Sequence, residues 1–214
     1  MKKIRLFFAM SVLSFFVLSC GNDEPVVTGN DNNATVATIM QRKSVRSYTN
    51  DTIASDVMES ILRAAMAAPS GMDVRPWHLV VMTDKSVYDT LFAGNFNMDK
   101  FKQAAAVVIL CADTTVTRAP RENPDAAPET RPNRIWRDDM GACTENLLLA
   151  VESYGLGAVW TACYPFEDRM ASVRDYLNLP GTVVPYAVVP IGYPAGDEQP
   201  KDKWDTSRVH HNRW

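Results

Sequence analysis

One punctuated stretch constrains this chain more than any other. It runs Ala68-Pro69-Ser70-Gly71-Met72-Asp73-Val74-Arg75-Pro76-Trp77 and continues as His78-Leu79-Val80-Val81-Met82. Pro69 cannot continue a helix arriving from its N-terminal side, because its ring removes a donor and clashes with the preceding turn. Pro76 biases Arg75 toward extended backbone, and the apolar run after it has the length of a buried strand. Ser70 and Gly71 carry turn chemistry, with Gly71 able to take a positive φ. The chain must therefore pass from helix to buried strand through a short polar loop. A polar loop on a rigid frame is a good place for a ligand. By local rules alone it also reads as an ordinary helix–strand connection.

The N-terminal end stands apart. Lys2, Lys3 and Arg5 precede an apolar run over 6–18, too short for a comfortable membrane span. Val17-Leu18-Ser19-Cys20-Gly21 fits a bacterial lipobox, in which Cys20 is lipidated and becomes the new N-terminus. In an ordinary secretory leader Cys20 would be only a small residue near the cut. The lipoprotein reading is favoured by the small residue before Cys20 and the glycine after it. It would tether the protein to the periplasmic or surface face of a membrane in the cell envelope. Residues 1–20 then form the leader, 21–34 a polar, flexible tether, and 35–214 one domain of ordinary size. A net charge of −3 gives no reason to expect a nucleic-acid partner.

Periodicity places helices over 35–40, 56–67, 138–154 and 166–177 and strands over 79–82, 105–112, 158–163 and 186–191. Asp56 and Glu59 are spaced as a capping pair. Asp84 is placed to cap a helix running to Leu91, and Gly155 to end the longest helix. Residues 118–134, with Pro120, Pro124, Pro128 and Pro132, read as a long loop, either a lid beside a site or a solvated connection. Gly155-x-Gly157 lacks a third glycine and follows a helix, so it is no dinucleotide fingerprint. Separate strands and helices without that turn point to an α+β sandwich.

Arg42, Lys43, Ser44 and Arg46 put cations and a hydroxyl close together, which suits a phosphate as well as it suits a solvated helix end. Lys201, Lys203 and Arg208 form a second basic cluster. Cys111, Cys143 and Cys163 have no metal-ligand spacing and read as buried thiols. In an oxidising envelope they leave one disulfide open without saying which. His210 and His211 have no carboxylate or cysteine at ligand spacing, so no metal is expected.

Taken in order, these stretches resemble the nitroreductase family. The loop from Ala68 to Trp77 resembles its flavin loop, and Arg42-Lys43-Ser44-Val45-Arg46 its opening basic motif. Gly141-Ala142, the run from Glu145 to Ala150, the segment from Gly155 to Trp160 and the ending Val209-His210-His211-Asn212-Arg213-Trp214 follow at family-like spacing. The resemblance covers 35–214. Asp23 and Glu24 also resemble the acidic export signals of Bacteroidetes lipoproteins, although a solvated linker accounts for them equally well.

The resemblance implies an α/β/α sandwich around a mixed, mainly antiparallel sheet. It further implies FMN as cofactor and a homodimer with a flavin at each subunit interface. Electrons would pass from NAD(P)H, or from a non-nicotinamide envelope donor, to a small electron-poor acceptor such as a nitroaromatic or quinone. Reductive dehalogenation and a flavin-binding carrier with little turnover are the alternatives. No side chain need act as a nucleophile, because the cofactor carries the chemistry. Arg42, Lys43, Ser44 and Arg46 would take the phosphate and ribityl chain, completed by Lys203 and Arg208, with Lys201 a further candidate. Ser70, Asp73 and Arg75 would face the ring, Asp73 and Arg75 standing where the family has Asn and Gln. An ionised Asp73 accepts hydrogen bonds but donates none. Trp160, Ala162 and Cys163 would lie along the ring, with the Ala162 and Cys163 amides reaching N5 and O4.

Overall fold

The longest apolar run forms the central strand β2 (Ala106–Asp113) of a computed structural model that describes residues 33–93, 96–97 and 99–214. The leader, Cys20 and most of the tether lie outside the described residues. β2 pairs antiparallel with β1 (Trp77–Met82) on one side and β7 (Val183–Gly192) on the other. The short strands β5 (Gly157–Ala158) and β6 (Thr161–Ala162) both pair with β7, again antiparallel.

Alternation along β2 builds two cores. Val108, Leu110 and Ala112 pack against Ile61 and Ala65 of α2 (Ser55–Met66) and against Met140 and Leu147 of α5 (Trp136–Ser153). Val107, Ile109 and Cys111 face the other way. They meet Tyr88 and Leu91 of α3 (Tyr88–Leu91), Phe101 of α4 (Asp99–Gln103) and Met170 and Val173 of α6 (Glu167–Leu177). A strand buried on both faces must be apolar throughout its buried length, and β2 is from Ala106 to Ala112, with Asp113 at its partly exposed end. The result is the expected α/β/α sandwich with a mainly antiparallel sheet.

Several local expectations change. Asp56 and Glu59 do not cap α2: its N-cap is Ala54, without a side-chain bond, and Glu59 instead pairs with Arg63 at 2.7 Å one turn on. Asn33 caps α1 (Ala34–Gln41) by accepting from the Thr35 and Val36 amides. Gly155 does end α5, with φ 69° and its amide on the Glu152 carbonyl. The single strand expected over 158–163 is split. β5 and β6 keep one register against β7, and the gap falls at Val159, opposite Pro190, which has no N–H for the ladder. The loop at 118–134 is partly a hairpin: β3 (Thr115–Arg118) pairs with β4 (Glu129–Pro132), leaving only 119–128 as its tip.

Candidate functional site

The basic motif runs along the sheet edge just after α1. The Val45 amide donates to the Ala158 carbonyl at 2.9 Å, and Ser44 forms a parallel bridge with Ala158. Two glycines make this approach possible. A Cβ on Gly157 would lie 2.6 Å from the Val45 side chain, and one on Gly192 would lie 3.0 Å from the Tyr48 ring. Val45 and Tyr48 turn inward and are buried, so Arg42, Lys43, Ser44 and Arg46 are left on the outer side. Burial, then the Glu198 carboxylate, push the Tyr48 phenol far above its usual range, with Arg46 opposing. Its hydroxyl lies 2.7 Å from the Val45 carbonyl, which braces the motif from below.

The irregular C-terminal segment after β7 closes a cavity of about 380 Å³ over this motif, lined by Arg42, Lys43, Ser44, Arg46, Glu198, Gln199, Lys201 and Lys203. Arg42 and Lys43 are tied to α5, by Glu145 at 3.2 Å and Glu152 at 3.0 Å. Arg46, Lys201 and Lys203 have no carboxylate within ion-pair distance among the described residues. These cations, with the Ser44 hydroxyl, can hold a phosphate monoester by charge-assisted bonds. Lys201 and Lys203 both line this cavity together with the basic motif. Arg208 does not line this cavity; it is exposed and pairs with Asp205 at 2.9 Å.

The loop after α2 is built differently. Its left-handed residues are Met72, Asp73 and Arg75, with φ 55°, 56° and 51°, and not the expected Gly71. Each such non-glycine conformation costs about 1 kcal/mol or more. Gly71 is needed for closeness: a Cβ there would lie 1.8 Å from Ile135 Cδ1. Arg75, expected extended before Pro76, is held otherwise by its neighbours. Its amide donates to the Ser70 hydroxyl at 3.0 Å, and its guanidinium grips the Asp73 carboxylate at 2.6 and 2.5 Å. That guanidinium, bonded to the carboxylate, holds Asp73 below the usual carboxylate range. Arg118 rests against the Met72 thioether. Between the loop and the hairpin lies a cleft of about 490 Å³ lined by Met72, Arg118, Ala119, Pro120, Arg121 and Pro124.

The segment from Trp160 to Cys163 has its own accounting. The β2–β7 register shifts so that Leu110 opposes Ala187 and Cys111 opposes Pro185, leaving Tyr186 as the extra residue of a bulge. Its carbonyl accepts from both the Cys163 and Tyr164 amides at 3.0 Å. The Cys163 amide is therefore engaged within the fold and does not reach outward, contrary to expectation. Ala162, one residue earlier in the pleat, faces away from β7, and its carbonyl accepts from Arg169 at 2.8 Å. Trp160 is half-buried, its ring 5.7 Å from that of Tyr186. The Cys111, Cys143 and Cys163 thiols are buried and pushed up to about 12, chiefly by that burial, so none is a thiolate at neutral pH. Lys100 lies in the positive surroundings shared by Arg46 and Arg169. Burial, then Arg46 and Arg169, hold its ammonium below the usual range.

The residues thus fall into two sets, separated along α5. Lys43 is anchored by Glu152, in the last turn of that helix, and the 70–75 loop by Asp139 near its start, whose Oδ1 accepts the Gly71 amide at 2.8 Å. At 1.5 Å per residue these anchors lie roughly 20 Å apart. Ser70, Asp73 and Arg75 do not line the cavity of the basic motif. Asp139 and Glu198 were not picked out from the sequence. Each is one of two adjacent acids, Asp138-Asp139 and Asp197-Glu198, with nothing local to single it out, and only the fold shows that Asp139 is buried and that Glu198 sits among cations.

The sequence pattern of the nitroreductase family matches residues 39–93 and 86–193. A Methanothermobacter thermautotrophicus protein provisionally named NADH dehydrogenase/NAD(P)H nitroreductase is 33% identical over 176 residues, spanning 82% of this chain and 85% of that protein. A Bacteroides thetaiotaomicron structure carrying the same provisional name superposes with a TM-score of 0.75 at 42% identity, over 87% of this chain and 100% of that one. The structure of NADPH:FMN oxidoreductase from Vibrio harveyi, complexed with NAD+, gives 0.70 at 25% identity, over 84% and 77%.

Proposed function

The chain belongs to the nitroreductase family, and from that premise we propose an FMN-dependent oxidoreductase that takes hydride from NADH or NADPH and reduces a small electron-poor molecule. The observation that carries this reading is the cavity where Arg46, Lys201 and Lys203, with no carboxylate at ion-pair distance among the described residues, stand beside Ser44. That donor set fits the phosphate of FMN, and the Vibrio harveyi relative is named for FMN and NADPH. A bound flavin would supply reversible two-electron transfer, leaving the protein to orient and bias it.

The parts of this chain would divide that work. Arg46, Lys201 and Lys203 hold the phosphate, while Arg42 and Lys43, already tied to α5, position the motif. The amide of Ala162 points away from β7 and is free to serve as a backbone donor to the ring, its residue steadied through the carbonyl by Arg169. The 70–75 loop and the hairpin would flank the ring and take the acceptor in the cleft between Met72 and Pro124. Because that loop and the phosphate cavity lie near opposite ends of α5, a site using both is completed by a second copy, so the working form is a homodimer. The lipidated Cys20 and the tether would hold it at the envelope.

A combined measurement tests the reading. The purified protein is yellow, elutes as a dimer in light-scattering chromatography, and shows saturable anaerobic bleaching of its flavin by NADPH or NADH. Colourless protein that takes up no FMN would defeat it. Yellow protein that is bleached by a quinol but not by nicotinamides would leave the flavin and move the donor to the envelope, as the lipobox suggests.

A further inference from the structure

The phosphate cavity contains an anion of its own. Glu198 lines it together with Arg42, Lys43, Arg46, Lys201 and Lys203. One carboxylate oxygen accepts the Arg46 amide at 3.3 Å. The other is buried without a hydrogen-bond partner. The carboxylate is seated closely: a Cβ on Gly196 would come within 2.8 Å of that second oxygen and 3.0 Å of the Ser47 hydroxyl. The carboxylates Glu145 and Glu152 are already engaged by ion pairs with Arg42 and Lys43. Glu198 is different, because it takes a backbone donor that a phosphate oxygen would use and leaves one oxygen compensated only by the surrounding positive field.

Resting on the phosphate reading above, we propose that Glu198 is a built-in rival for the ligand's phosphate, so that the flavin here is exchangeable rather than permanently held. A phosphate dianion entering this cavity meets a like charge within a few ångströms in a partly desolvated place, where such repulsion is strong. It must displace the carboxylate from the Arg46 amide before it can bond there. A flavin without phosphate meets no such competition. Glu198 therefore sets how much the phosphate contributes to binding, and it keeps the cations compensated when the ligand leaves.

The test is a titration of the full-length chain with FMN and with riboflavin, followed by quenching of flavin fluorescence, for the wild type and Glu198→Gln. The isosteric amide keeps the shape and removes the charge. FMN affinity rises by on the order of tenfold in the variant, riboflavin affinity stays within about twofold, and the FMN gain shrinks at high salt through screening. Glu198→Ala gives the same ordering, and unchanged melting temperatures show that folding is not the cause. Equal FMN affinity in wild type and both variants overturns the proposal, and so does weaker FMN binding by Glu198→Gln, which would make the carboxylate an organiser of Arg46. If wild-type protein binds neither flavin, the functional reading fails by itself. Inorganic phosphate then serves as the probe, and Glu198 is overturned if the variants bind it no more tightly than wild type.

Discussion

The basic motif and the 70–75 loop both present polar side chains beside α5, yet they are held by opposite means. The motif is laid into the sheet: the Val45 amide bonds the Ala158 carbonyl, Val45 and Tyr48 are buried, and the close approach is permitted by Gly157 and Gly192. The loop has no such ladder. It keeps Met72, Asp73 and Arg75 at positive φ through side-chain bonds from Ser70, Asp73 and Asp139. If the motif holds a phosphate, as proposed, it can be rigid, because that group has a fixed tetrahedral shape. A strained loop over a cleft stores energy locally and depends on each bond that holds it. The motif should therefore fail through packing, and the loop through polar substitutions.

The largest effect is expected at Gly157→Val. The added side chain would start 2.6 Å from Val45, between two backbones that cannot part without breaking the edge pairing. Overpacking against three Val45 atoms at once belongs at or beyond the upper end of the usual cost, about 3 kcal/mol, and the cavity should be lost with it. Denaturant titration and flavin content report the two losses together. Wild-type stability with normal flavin would show that the motif does not depend on this seat. Next in size is Arg46→Ala, which leaves the fold alone and removes a charge-assisted bond worth about 1.5–3 kcal/mol. Flavin retention on a desalting column should fall strongly, while Arg63→Ala, exposed on α2 and paired only with Glu59, should change nothing.

A smaller, more local effect belongs to Asp139→Asn. The amide side chain still accepts the Gly71 amide through one atom, but the charge that strengthens that bond is gone. We expect a loss of about 1 kcal/mol, seen as faster hydrogen exchange or proteolysis confined to 70–75. Faster exchange across the whole of α5 would mean that Asp139 supports the helix and not the loop.

What the sequence could reveal follows the same division. β2 was legible because its buried length, Ala106 to Ala112, is apolar at each position, and the end of α5 because a glycine there can take a positive φ, as Gly155 does. The break at Val159 was legible only in hindsight: it depends on Pro190, and pairing across β7 had to be known first. The hairpin was hidden because Thr115-Val116-Thr117 and Glu129-Thr130-Arg131 are short, polar and separated by prolines. In the site, the cations of 42–46 stood out as a local cluster. The parts assembled over distance did not: Asp139 meets Gly71 across 68 residues of chain, and Glu198 meets Arg46 across 152. Local rules placed positive φ at Gly71, whereas contact with Ile135 uses that glycine and the strain passes to its neighbours.

The finest test of the contrast is Asp73→Asn, because it touches charge and strain in the loop and leaves the phosphate cavity alone. In the wild type the Arg75 guanidinium holds the Asp73 carboxylate below its usual range. A lowered carboxylate pKa favours the ordered loop at pH above the unfolded value, about 3.9. That contribution is lost as pH falls through the lowered folded value. Wild-type loop amides should therefore exchange faster only in strongly acidic solution, whereas Asp73→Asn should show the looser loop already at neutral pH. If the loop also flanks the flavin ring, removing the carboxylate leaves Arg75 unpaired and makes the surroundings of the ring more positive. That favours the anionic reduced flavin, so the midpoint potential should rise, by a small amount because Asp73 is exposed to screening solvent. The two readouts separate the possibilities. A looser loop with an unchanged potential would confine Asp73 to structure, while an unchanged loop and potential would show that the bidentate pair with Arg75 holds nothing in place.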